Sequence, residues 1–227
     1  MRTQWMRACW LANEKEVMLN GPCGQLQAGF ISGKRADVAM LVCHPHPLHQ
    51  GTMFNKVVTT AVKAAYDQQM STLRFNYRGV GLSEGSYGDV EGEARDALSA
   101  AQWLLNTANC QHLWLVGFSF GAAVSYQIQP SIPSCGTVLI CPSVERMAFS
   151  KSSNAPTHVI QAADDEVVSS QAVTSWCKEQ ANVNIQLVPG ASHFFHGKLP
   201  ELKACLTQIL EDEPRITPTT SISQRTS

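Results

Sequence analysis

The feature that most restricts the fold is a regular alternation between short apolar runs and segments with helical spacing. The run Val38–Cys43 has no polar residue, so it suits a strand that is buried on both faces. In the next stretch, 55–69, Val58 and Val62 mark one side of a helix. Strands that alternate with helices predict an α/β fold with a mostly parallel sheet and helices on both of its faces. Further strands are expected at 71–75, 113–116, 137–140, 157–160 and 183–188, and helices at 94–105, from 121, at 167–178 and at 199–210.

The two ends of the chain differ from this pattern. Near the start, two alternating segments, 15–19 and 25–31, flank Asn20-Gly21-Pro22, which predicts an antiparallel hairpin at an edge of the sheet. A chain of 227 residues suits one medium α/β domain, which we place at 1–210. The remaining segment, 211–227, is rich in Thr, Ser and charge and contains two prolines, so a disordered tail is expected there.

The composition narrows the partners and the compartment. The net charge is −1 and there is no run of Lys and Arg, so a nucleic-acid partner is not expected. No apolar run reaches the roughly 20 residues of a membrane span, and residues 1–10 lack the apolar core of a secretory signal. The eight cysteines form no CxxC pair, which is typical of free thiols in a reducing cytoplasm. We expect a cytoplasmic protein that acts on a small molecule; whether it forms a homo-oligomer is left open.

The pentapeptide Gly117-Phe118-Ser119-Phe120-Gly121 has the pattern GxSxG. Alone the pattern is weak, but here it directly follows an expected strand and directly precedes an expected helix. That setting predicts a nucleophile elbow, a tight turn that presents the serine hydroxyl at the carboxyl end of the sheet. The alternative is a serine that only caps an ordinary strand–helix junction. We predict Ser119 to be a catalytic nucleophile.

A serine nucleophile needs a base and an acid, expected along the chain in the order Ser, acid, His. After the strand 157–160, Asp164 and Asp165 open a loop at the same sheet edge as Ser119. Asp165 is the preferred acid because it lies one step further into the loop, and Asp164 is the alternative. After the last strand, His193 is the predicted base; His196 lies nearer the final helix and is expected to face solvent.

With these residues in view, the chain resembles an α/β-hydrolase from about 15 to 210. The segment Arg78-Gly79-Val80-Gly81-Leu82-Ser83 is similar to the RGxGxS loop of many members. His44-Pro45-His46-Pro47 looks like the HPHP loop of small, uncapped bacterial serine hydrolases broadly akin to dienelactone hydrolase. The resemblance implies an α/β-hydrolase fold without a substantial cap domain. It also implies hydrolysis of an ester-like bond without a metal or an organic cofactor.

The elbow also predicts an oxyanion hole made of two backbone N–H groups. One is the N–H of Phe120, the residue after the nucleophile. The other belongs to the loop after Val38–Cys43, where many relatives carry His-Gly and this chain carries His44-Pro45. Since Pro45 and Pro47 have no N–H, His46 is the expected donor and Leu48 the runner-up.

Three other interpretations compete for the same residues. His44, His46 and His49 form HxHxxH, which also begins a zinc site in another hydrolase class; that pattern has an aspartate where this chain has Leu48. The glycines between Gly79 and Gly85 approximate a dinucleotide fingerprint, but the residues that follow are typical of a loop and not of a helix. A catalytically silent binding protein could keep the fold, although all three triad positions are present here.

Overall fold

The computed structural model describes residues 11–149 and 155–212, and within them eight strands form one sheet between layers of helices. The strands are β1 (Lys15–Gly21), β2 (Gly24–Ile31), β3 (Val38–Cys43), β4 (Ser71–Phe75), β5 (His112–Phe118), β6 (Ser134–Ile140), β7 (Thr157–Ala162) and β8 (Val183–Val188). The helices are α1 (Lys56–Asp67), α2 (Glu91–Ala108), α3 (Phe120–Ile128), α4 (Ser170–Lys178) and α5 (Leu199–Asp212), with 3-10 turns at Pro47–His49 and Gln129–Ser131.

The strand order is β1-β2-β4-β3-β5-β6-β7-β8. Strand β2 pairs antiparallel with both β1 and β4, and every other neighbouring pair is parallel. This confirms the predicted mostly parallel sheet with an antiparallel hairpin at its edge. Because the parallel strands run in one direction, the loops that follow β3, β5, β7 and β8 meet at the same edge.

The sheet is covered on both faces, which is why its central strands carry almost no polar residue. Every residue of β3 is buried, and its alternate side chains enter different cores. Val42 packs with Val58 and Leu206, from α1 and α5, on one face. Leu41 packs with Leu104 of α2 and other residues on the opposite face. The predicted two-sided burial of the sheet is therefore confirmed.

Several element boundaries differ from the expected ones. Helix α4 begins at Ser170 and not at 167, because the N–H groups of Val167 and Val168 are bound by Asp165 and Ser169 caps the helix. Helix α5 extends through Asp212, two residues into the segment expected to be a tail. The rest of that predicted tail, 213–227, and residues 1–10 of the predicted domain lie outside the described residues.

None of the helices in the described ranges is both long and apolar enough to cross a membrane.

Candidate active site

Ser119 lies at the turn between β5 and α3, with φ 54° and ψ −113°. This backbone conformation is strained for any residue with a side chain. Two hydrogen bonds hold it: the N–H of Ser119 donates to the carbonyl of Ile140 (2.8 Å), and its carbonyl accepts the N–H of Ala122 (3.0 Å). These bonds fix the turn relative to the sheet and to α3. A nucleophile elbow needs such a fixed turn in order to present its hydroxyl in one direction.

The two glycines of the pentapeptide are steric requirements of this turn. A Cβ atom at Gly117 would lie 2.0 Å from the carbonyl oxygen of Gly121. A Cβ atom at Gly121 would lie 2.3 Å from the carbonyl oxygen of Cys43, at the end of β3. Since both neighbours are backbone atoms, neither can move aside easily. The GxSxG spacing thus reflects close contact of strand, turn and helix.

Asp165 and His193 are hydrogen-bonded to each other across 28 positions of sequence. Nδ1 of His193 lies 2.8 Å from Oδ2 and 3.0 Å from Oδ1 of Asp165, and both side chains are almost completely buried. A carboxylate can only accept here, so Nδ1 carries the proton and Nε2 is left as the basic nitrogen. The structure thus brings the predicted base and the preferred acid together.

The carboxylate of Asp165 also accepts hydrogen bonds from its own loop. The N–H groups of Val167 and Val168 donate to Oδ1, both at 2.8 Å, and Nε2 of Gln161 donates to Oδ2 at 3.2 Å. Burial alone would raise the pKa of Asp165, but the hydrogen bonds from His193 and the backbone outweigh it and lower the pKa. Asp165 is therefore held as a carboxylate in one orientation.

Asp164, the alternative acid, is exposed, and its backbone N–H donates to the carbonyl of Ala191 (3.0 Å). His196 is also exposed, as expected.

Two residues near this pair had no recognisable signal in the sequence. Oε2 of Glu166 accepts the backbone N–H of His193 at 3.1 Å, which ties the base to the loop of the acid. Cys141 is fully buried with φ 45°. Its Sγ lies within 4.8 Å of a carboxylate oxygen of Asp165 and of a ring nitrogen of His193. Burial, together with the charge of Asp165, raises the pKa of Cys141 well above its usual value, so it stays a neutral thiol.

Ser119 and His193 line one cavity of about 610 Å³, and His46 and Phe120 line it as well. Phe120 is the first residue of α3, where N–H groups have no partner within the helix.

The carbonyl of His46 accepts the N–H groups of His49 and Gly51, both at 3.0 Å. The N–H of Leu48 is used differently, since it donates to Nδ1 of His46 at 3.2 Å. This favours His46 over Leu48 as the predicted oxyanion donor.

No protein-family model matches the chain, but individual proteins do. It is 32% identical over 209 residues to the uncharacterized protein RP471 of Rickettsia prowazekii, covering 86% of this chain and 88% of that protein. An α/β serine hydrolase homologue from Coxiella burnetii is 35% identical, with a TM-score of 0.83 over 88% of this chain and 99% of that one. XC6422 from Xanthomonas campestris, an α/β serine hydrolase without a lid, is 33% identical, with a TM-score of 0.85 over 92% and 99%. The chain belongs to the α/β serine hydrolases.

The loop after β3 borders the candidate site of this α/β serine hydrolase, and a buried histidine holds it. Nδ1 of His44 donates to the carbonyl of Pro45 (2.7 Å), and Nε2 accepts the N–H of Tyr77 (3.2 Å). Burial lowers the pKa of His44 to about 3, so the ring is neutral. Both ring nitrogens are engaged within the protein, and neither is available to a metal.

The zinc-site interpretation needs the ring nitrogens of His44, His46 and His49 to converge. Across 11–149 and 155–212, however, the group of potential ligands that converges is Cys141, Asp165 and His193. The donor geometry of this α/β serine hydrolase thus does not fit the HxHxxH alternative.

The glycine-rich segment after β4 forms turns and not the start of a helix, as expected. Gly79 and Gly81 have φ 73° and 61°, and the Oγ of Ser83 donates to the carbonyl of Asn76 (2.7 Å). Arg78 forms a buried ion pair with Asp96 of α2 (2.7 Å). The next helix begins only at Glu91, so no helix N-terminus follows the glycines to receive a pyrophosphate.

Proposed function

We propose that this protein hydrolyses an ester or thioester bond through an acyl-enzyme on Ser119. One observation carries the proposal: His193, which is buried and hydrogen-bonded to Asp165, lines the same cavity as a serine held in a strained turn. A structural serine at a strand–helix junction needs neither the strain nor the neighbouring base. Acyl transfer from a small molecule is the chemistry that uses both.

In the proposed reaction, the hydroxyl of Ser119 attacks the acyl carbonyl while Nε2 of His193 takes its proton. The Nδ1–H bond to Asp165 keeps His193 in the required tautomer and stabilises its charged form. His193 then protonates the leaving alcohol or thiol. In the second half, the same nitrogen deprotonates a water molecule that attacks the acyl-enzyme, and it then returns that proton to the Oγ of Ser119 as the acid leaves. Every proton is accounted for by these residues.

The developing oxyanion would be stabilised by the backbone N–H groups of Phe120 and His46. The N–H of Phe120 lies at the start of α3, where the helix dipole favours negative charge. Both residues line the cavity that contains Ser119. Removing one such donor typically costs about 3 kcal/mol in transition-state stabilisation.

The compartment belongs to the same proposal. Each cysteine within the described residues is a free thiol, and most are buried. Free thiols of this kind suit a reducing environment, so we propose that the enzyme acts on a small molecule in the cytoplasm.

The decisive experiment combines covalent labelling with turnover. The wild-type protein should react with a fluorophosphonate at Ser119 and hydrolyse aryl esters. Ser119→Ala should abolish both while leaving the unfolding transition in place, because alanine keeps the backbone path and removes only the nucleophile. Ser125→Ala, at a buried serine of α3 six residues beyond Ser119, is the matched control and should keep both signals.

Three results would contradict the proposal. Full activity in Ser119→Ala would exclude a serine mechanism. Activity that survives this change and is lost with a chelator would support the metal-dependent alternative. A wild-type protein that neither labels nor turns over any ester or thioester would favour the silent binding protein.

A further inference from the structure

Val90, which lines the same cavity as Ser119, also has a strained backbone. Val90 has φ 66° and ψ −48°, and the N–H of Glu91 donates to the carbonyl of Asp89 at 2.7 Å across it. This is a γ-turn with a positive central φ, a rare and strained form. For a β-branched residue a positive φ is a genuine outlier, because the branched Cβ crowds the backbone.

The contacts around Val90 fix this turn in place. Oε1 of Glu93, a fully buried residue, accepts the N–H of Gly88 at 2.8 Å. The N–H of Gly92 donates to the carbonyl of Gly88 (2.9 Å), and the N–H of Ala94 donates to the carbonyl of Val90 (2.8 Å). The turn is thus anchored on both sides by the first turn of α2. A strained conformation persists when its surroundings determine it in this way.

The side chain of Val90 stands where two cores meet. It packs against the core that contains Phe120 and against the core that contains Ala122 and Ala123. Met147 also packs against both cores, and it too lines the cavity. Val90 and Met147 therefore form an apolar part of the cavity wall, called the apolar end below, next to the helix that begins beside the nucleophile.

We propose that this apolar end receives an unbranched aliphatic chain of the substrate, and that the side chain of Val90 limits the length of that chain. A glycine would adopt the same φ without strain, so the turn itself does not require a side chain. The isopropyl group of Val90 instead fills space between the cavity and the two cores. The inference rests on the proposed esterase function, since it assigns a part of that substrate.

The test measures kcat/KM for two ester series in which only one chain is lengthened, first the acyl chain and then the alcohol chain. Val90→Ala and Val90→Gly should raise the ratio of a long-chain to a short-chain ester by about tenfold or more in one series, with a lower KM for the long ester. Val90→Leu should move the ratio the other way. The series that responds identifies which chain the apolar end holds.

Gln69→Gly is the matched control. Gln69 also has a positive φ (61°), but it is an exposed residue between α1 and β4 and does not line the cavity. It should leave both chain-length profiles unchanged. If Val90→Ala and Val90→Gly shift the ratio equally, volume and not relief of strain is responsible.

Two outcomes would overturn the inference while the proposed function stands. One is an unchanged chain-length profile in both series, with wild-type labelling of Ser119. The other is a uniform loss of rate in every folded Val90 variant, which indicates a purely structural role. Failure of the proposed function looks different, because no variant and no wild-type protein would then hydrolyse any ester.

Discussion

At the scale of single residues, Asp165 has the most complete set of partners in the candidate site. It accepts hydrogen bonds from His193, Val167, Val168 and Gln161, and its lowered pKa follows from those donors despite its burial. Such a carboxylate stays ionised across the neutral range and cannot turn away from the imidazole. In the proposed reaction, its role is to hold His193 in one tautomer and one orientation.

Asp165→Asn should therefore lower kcat by about a thousandfold or more, because the amide lets the imidazole adopt the wrong tautomer. The change should cost little stability, since an asparagine oxygen can still accept the N–H groups of Val167 and Val168. Asp164→Asn is the matched control and should leave kcat within a few-fold of wild type, because Asp164 is exposed. Steady-state kinetics on an aryl ester, with thermal unfolding of each variant, measures both effects. The reverse ranking would make Asp164 the catalytic acid.

At the scale of elements, the loop from β3 to α1 has contacts at several points. The ring of His44 joins its first residues to Tyr77, after β4. Its middle turns back on the carbonyl of His46, which accepts two backbone N–H groups. Near its end, the N–H of Met53 donates to Oδ1 of Asn76 (2.9 Å). A loop held in this way can present the N–H of His46 in a fixed direction, which an oxyanion hole needs.

The backbone of His46 permits a clean test of that donor. Its φ is −52°, close to the angle that proline imposes, so His46→Pro removes the N–H with little backbone strain. His46→Ala removes the same ring and keeps the N–H. We expect His46→Ala to lower kcat by about tenfold at most and His46→Pro by roughly 100-fold to 1000-fold.

The two variants must be compared in the same assay, with thermal unfolding as the check on folding. Equal losses of kcat in His46→Ala and His46→Pro would show that the ring, and not the N–H, is what matters. A phosphonate complex supplies a direct measure. One phosphoryl oxygen should lie about 2.7–3.1 Å from the backbone nitrogens of Phe120 and His46.

At the scale of the whole molecule, the buried neutral ring of His44 makes the fold sensitive to mild acid. Burial lowers its folded pKa to about 3, whereas in the unfolded chain it is near 6.5. Between these values the unfolded state binds a proton that the folded state does not, so stability increases with pH. This contribution is complete above about pH 6.5 and is lost as the pH falls toward about 3.

The free energy of unfolding should therefore fall by roughly 2 kcal/mol between pH 7 and pH 5 on account of His44. His44→Asn has no titrating ring and should show a smaller fall, whereas His196→Gln, at an exposed histidine, should behave like wild type. Urea unfolding of wild type and of both variants at pH 7, 6 and 5 measures how steeply the free energy of unfolding falls with pH in each protein. An equal fall in wild type and His44→Asn would remove His44 as the cause.

Much of this architecture follows from the sequence because its causes are local. Apolar runs as continuous as Val38–Cys43 can only be buried on both faces, and their alternation with helical segments leaves few arrangements besides a parallel sheet. The spacing of Gly117, Ser119 and Gly121 predicts the tight turn for the same reason, since the clashes that require glycine involve neighbouring backbone. Positions just after strands then predict which side chains share an edge.

Contacts between residues that are far apart in the chain were decided only by the tertiary structure. Asp164 and Asp165 follow the same strand, and the choice between them depends on which side chain turns toward His193, 28 positions beyond Asp165. The support from Glu166 and the burial of Cys141 beside the pair likewise depend on how separate loops pack. The strained turn at Val90 has no local signal, because valine disfavours that backbone angle. It exists because α2 and two hydrophobic cores together impose it.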